Sequence, residues 1–91
     1  MDQQLTISWR RAVRIASTQD ANYRGPFEGE SWSSVLRRSQ QAWNRYRNAH
    51  CLSESYRMRG GNSGGNLEAS CRIRLARERI DELEVVFEGM R

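Results

Sequence analysis

Cys51, Cys71 and His50 are the side chains best suited to do chemistry, and the chain has two cysteines and one histidine in all. Three chemistries are open to them. A disulfide closing a loop of this size would stabilise the fold by about 3 kcal/mol on the chain-entropy argument. Zinc requires four ligands, and without carboxylates only Cys51, Cys71 and His50 are at hand. Paired Cys and His could also make a nucleophile. However, His50 adjoins Cys51 in sequence, and neighbours on a helix point about 100° apart. The disulfide is the reading adopted, and it implies an oxidising compartment. No metal site, cofactor or catalytic residue is assigned. No carboxylate pair has a spacing suited to glycosidase or metal chemistry, and one histidine supports no Ser/His/Asp set. The chain is not expected to be an enzyme.

Helical elements must hold the two cysteines. A first helix is predicted from Asp2 to about Ser17, with Leu5, Trp9, Ala12, Val13 and Ala16 as one apolar stripe. Ser17 to Ser31 reads as loop because it contains Asp20, Asn22, Gly25-Pro26 and Gly29. Tyr23, Phe27 and Trp32 are expected to pin that loop to the core. A second helix should start with Ser31 or Ser33 as its N-cap. Trp32, Leu36, Trp43 and His50 fall close to one line of it, and Cys51 lies at the edge of the stripe.

Four glycines in the six residues 60–65 then predict a mobile turn. They are no phosphate loop, because the Gly-Lys-Ser/Thr that must follow is missing. Asn66 is the expected N-cap of a third helix, with Glu68 in its first turn and an end near Phe87. Ile73, Ala76, Ile80, Leu83, Phe87 and Met90 make one line of that helix. Leu67, Cys71, Leu75 and Arg79 make another. Two apolar lines point to a helix central to a three-helix core, with a dimer seam as the alternative. Glu78, Asp81, Glu82 and Glu84 read as its solvated face, pairing locally with Arg74 and Arg77. Arg47 and Arg79 lie on the cysteine lines, near the helix–helix seam. They are expected to stack on Trp43 or Tyr46, both placed in the core of the hairpin, or to bond to helix-end carbonyls.

The fold expected is therefore all-α: one domain over residues 1–91, a small bundle of about three helices whose hairpin is stapled by Cys51–Cys71. At 91 residues and 37% hydrophobic the core is thin, and a covalent staple suits it. The formal charge is +4, and all 15 basic residues are arginine. Acidic residues are interleaved with them and no block of five like charges occurs, which favours solvated helix faces. The alternative is an Arg-rich binder of anionic polymer or membrane, without specific nucleic-acid recognition. No apolar run approaches the roughly 18 residues of a membrane span, and no signal peptide is visible.

Three spaced elements resemble the lysozyme-inhibitor LprI-like family of the bacterial envelope. The first is Asp2-x-x-Leu5-Thr6-x-x-Trp9, where members show Asn and Tyr at the last two named positions. The second is Gln40-x-x-Trp43-x-x-Tyr46-Arg47-Asn48-x-x-Cys51, with Asn48 in place of Asp. The third is Cys71-x-x-x-Leu75-Ala76-x-x-Arg79-x-x-x-Leu83, with Ala76 in place of Thr. The resemblance implies a secreted or periplasmic helical domain, with a further N-terminal segment preceding Met1. It suggests a protein partner, with lysozyme the one the family name indicates; the residues themselves favour a non-catalytic chain, monomeric or weakly dimeric. No family motif defines inhibitory residues. Lysozymes are usually basic, so a +4 chain is repelled at long range, and inhibition would need an Arg or loop entering an acidic cleft. Arg59, Gly60, Gly61 and Asn62, in the loop running to Asn66, are the candidate partner-binding residues.

Overall fold

The computed structural model describes residues 2–26 and 29–88. It contains three helices, α1 (Asp2–Asn22), α2 (Trp32–Ser55) and α3 (Gly64–Val86). A single 3₁₀ turn, Tyr56–Met58, follows α2. Among the described residues there is no strand, and no helix is long and apolar enough to cross a membrane.

Cross-helix bonds set the directions. At one end the Asp20 carboxylate accepts from the backbone N–H of Trp32 (2.9 Å) and of Ser33 (3.0 Å). At the other, Arg47 donates to Asp2 at 3.1 Å. So α1 and α2 run antiparallel. Cys51 is bonded to Cys71, and Arg79 donates to Gln40 at 2.8 Å, so α3 runs antiparallel to α2 and alongside α1. The result is a rod with extents of 57 × 25 × 16 Å.

The core falls into two parts. Leu5, Ala12, Ala16, Leu36, Ala76, Leu83 and Phe87 form the first, drawn from all three helices. The buried alanines on α1 and α3 let the backbones approach closely, so large side chains are few. Trp32 covers one end, stacked on Phe87 with ring centroids 5.1 Å apart. Cys51, Cys71 and Leu75 form the second part, from α2 and α3 alone. Trp43 packs against both. The disulfide therefore closes a hairpin at the level where α1 no longer covers it.

Several expectations need correction. α1 continues past Ser17 to Asn22. Asp20 and Asn22 do not break a helix by themselves, and Asp20 is rewarded for staying helical by its two bonds to the start of α2. The helix ends at Asn22, three residues short of Gly25-Pro26. Tyr23 is not pinned to the core: it is 49% exposed, and its hydroxyl donates locally to the Pro26 carbonyl. Phe27 and Met90 lie outside the described residues. Of the two N-caps expected for α2, Ser31 is the one used, its hydroxyl accepting from Ser34 N–H.

α3 begins at Gly64, not after Asn66, so Ser63 is its N-cap and Glu68 lies beyond the first turn. Two glycines at a helix start cost about 1 kcal/mol each, an amount that packing further along α3 outweighs. The remaining turn is hydrogen-bonded rather than loose, through Arg59 N–H to Tyr56 O and Gly61 N–H to Met58 O. Ile73 is 44% exposed, because it sits one turn before α3 comes under α1.

Two outcomes are expected. Replacing Cys51 and Cys71 by Ser should lower the unfolding free energy by about 3 kcal/mol in urea titrations. The Asp20 carboxyl is held below its ordinary value, chiefly by the Ser33 amide, against partial desolvation and with help from Trp32. A depressed carboxyl contributes stability above its unfolded pKa and loses it as pH falls through the folded value. The melting temperature should thus drop on acidification below about pH 4. Asp20→Ala should lower it at neutral pH and flatten that drop.

Candidate functional site

The seam between α2 and α3 holds most of the spaced motif residues. Arg79 is 8% exposed, the one buried charged residue described. Its Nε donates to Gln40 Oε1 (2.8 Å), one terminal nitrogen to Ser39 Oγ (3.1 Å) and the other to Glu82 Oε1 (3.1 Å). A buried guanidinium is tolerated when it is bonded all round like this. Arg47 lies 4.7 Å over the Trp43 ring and reaches Asp2. Leu5, Leu75 and Leu83 are buried, and Trp9, Gln40 and Trp43 are half-buried. These residues hold the scaffold. Tyr46 departs from expectation: it is 53% exposed and stacks on His50 instead of filling the hairpin core. It lies on the outer flank of α2, where no helix covers it.

At the disulfide a second group gathers. His50 Nε2 lies 2.7 Å from Glu54 Oε2, one helical turn on. Arg74, from α3, donates to the same oxygen at 2.5 Å and reaches Cys71 Sγ at 3.7 Å. Arg74 is the main reason the Glu54 carboxyl stays below its ordinary range; desolvation opposes it and His50 assists. One histidine nitrogen, one carboxylate oxygen and the Cys71 sulfur all lie within 4.8 Å of one another. The sequence reading missed Glu54 and Arg74 here. The His50-x-x-x-Glu54 spacing was the available signal, but the partner on α3 depended on the register between helices.

The same dependence rearranged the other ion pairs. Arg74 pairs with Glu54 and Arg11 with Glu84 across helices, in place of local pairing by Arg74 and Arg77, while Arg79 and Glu82 pair within α3. Beyond the disulfide lies the turn carrying Arg59, Gly60, Gly61 and Asn62, all exposed. Arg59 lies 4.8 Å over the Tyr56 ring. Gly60 has φ +82°, which favours glycine there. A groove of about 530 Å³ lies at the opposite end and includes Tyr23, Pro26 and Trp32. Its carboxylates are engaged, Asp20 with the start of α2 and Glu30 with Arg38 and Ser34.

Arg79→Ala should lower stability by about 2 kcal/mol, because it strips packing and three bonds from the seam. Glu82→Ala should cost less than about 1 kcal/mol, since that side chain is 59% exposed. Paired urea titrations measure both.

Comparison with known proteins adds the last observation. The family described as lysozyme inhibitor LprI matches residues 1–83. No curated protein and no solved structure matches the chain. The matched span covers α1, α2, the disulfide and α3 as far as Leu83, the last residue of the third motif. This chain belongs to the lysozyme inhibitor LprI family.

Proposed function

We propose that the chain is a non-catalytic, extracytoplasmic protein of the bacterial envelope that inhibits a lysozyme, and that it does so with the turn at the end of the α2–α3 hairpin. The family match over residues 1–83 carries the reading. The geometry supports the choice of element. Glycoside hydrolysis relies on paired carboxylates flanking the scissile bond. A narrow hairpin end bearing Arg59 on an exposed, hydrogen-bonded turn suits entry into such a cleft. Arginine is the side chain best matched to a carboxylate. Gly60 keeps the turn free of a side chain and lets it fold back tightly. The disulfide fits a compartment outside the cytoplasm. The sole histidine and both cysteines are already engaged with neighbours, as a binding protein allows.

The net charge of +4 shapes the expected kinetics. A basic enzyme repels this chain at long range, so screening by salt should hasten the encounter. Binding of anionic polymer instead weakens steeply with salt. Excess oxidised protein should suppress muramidase activity, and do so no less well at about 150 mM than at about 20 mM salt. Arg59→Ala should weaken inhibition at least tenfold, about 1.4 kcal/mol. Arg10→Ala, on the exposed side of α1, should leave it unchanged. Full activity of several lysozyme types in the presence of excess protein would overturn the reading. Equal inhibition by Arg59→Ala would overturn the assignment to this turn.

A further inference from the structure

The corner around the disulfide holds more ligand atoms than a structural cross-link needs. His50 and Glu54 stand one turn apart on α2, and Cys71 faces them from α3 with all three ligand atoms within 4.8 Å. The sulfur of Cys51 is bonded to that of Cys71 but lies outside this three-atom cluster, so it is the ligand that must swing in once the bond is cut. Both bonds to Glu54 fall on Oε2, so Oε1 is the oxygen open to a further partner. His50 and Glu54 are partly exposed, which gives an ion a way in, while both cysteines are fully buried.

We propose that reduction of Cys51–Cys71 turns this corner into a tetrahedral Cys₂HisGlu site for zinc. The Cα atoms of the two cysteines are 5.4 Å apart. With Zn–S bonds of about 2.3 Å, tetrahedral geometry asks the sulfurs to be roughly 3.7 Å apart. Side-chain rotation supplies that change without moving the helices. The metal replaces the His50–Glu54 hydrogen bond by a bond to each. Two thiolates, one carboxylate and Zn²⁺ leave one negative charge. Arg74, already against Glu54 and Cys71, balances it and serves as an outer-sphere donor. Thiolate and imidazole ligands favour zinc over magnesium or calcium.

The redox step is two-electron. A dithiol reduces the disulfide to two thiols and becomes a cyclic disulfide itself. Zinc then displaces one proton from each thiol as it binds. A phosphine does the same reduction with one water, ending as phosphine oxide. The site is independent of the lysozyme reading.

The test uses the whole chain, with Zn²⁺ in competition with a chromophoric chelator, before and after phosphine reduction. The oxidised chain should take up no zinc, and the reduced chain one per molecule. Co²⁺ in its place should give intense tetrahedral visible bands and a thiolate charge-transfer band. His50→Ala and Glu54→Gln should each weaken zinc binding about tenfold or more. Neither change touches the disulfide itself. If reduction loosens the helices, far-UV circular dichroism should show zinc restoring them. Lack of zinc uptake by the reduced chain would overturn the proposal. So would uptake that His50→Ala and Glu54→Gln leave unchanged, since that is chelation by two thiols alone. Where reduction has loosened the helices, uptake without their return would overturn it as well.

Discussion

Two helices have to stand without a third beyond the level of Arg47, where α1 begins beside α2. That constraint governs much of the molecule. Three helices can enclose a core between them; two can only share a seam with water on both flanks. The buried set shrinks accordingly, from seven residues on three helices to Cys51, Cys71 and Leu75. A disulfide is what such a seam can use, because it removes freedom from the unfolded chain instead of depending on buried area. Trp43 ties the two regions together by touching both.

Charge is arranged around the same seam. Arg79 occupies a place that an aliphatic side chain would otherwise fill, and it bonds Ser39 and Gln40 of α2 to Glu82 of α3. Arg47 lies over Trp43 and fastens the start of α1 through Asp2. These two arginines are structural parts, set apart from those on the outer helix faces. A bonded guanidinium demands a particular alignment of α2 on α3, whereas alanine and leucine surfaces tolerate sliding. The polar seam and the covalent bond fix the same register from two positions along it.

Much of this was legible in the residues. Cysteines on two helical lines indicated the staple, Arg47 and Arg79 on those lines indicated the seam, and Ser31 or Ser33 marked the start of α2. The misreadings share one cause, which is that tertiary reward overrides local preference. Asp20 extends α1 because it binds the start of α2. Gly64 and Gly65 are helical because the rest of α3 is packed. Tyr46 and Ile73 have helical spacing suited to a core, yet no third helix lies beside them. Periodicity tells which side of a helix is apolar, not how far its neighbours extend. Glu54 and Arg74 became partners only through inter-helix register, so the most chemically suggestive corner was half hidden in the sequence.

The disulfide joins positions 20 apart and spans the whole hairpin end, including the exposed arginines at 57 and 59. An exposed turn with basic residues is where a trypsin-like protease cuts first. A cut between Cys51 and Cys71 leaves two pieces still linked through sulfur. Both helices remain docked, Arg79 keeps its partners, and the nicked chain runs as one species until it is reduced. The protein can therefore present this exposed turn to a protease and outlive the scission of its own backbone there.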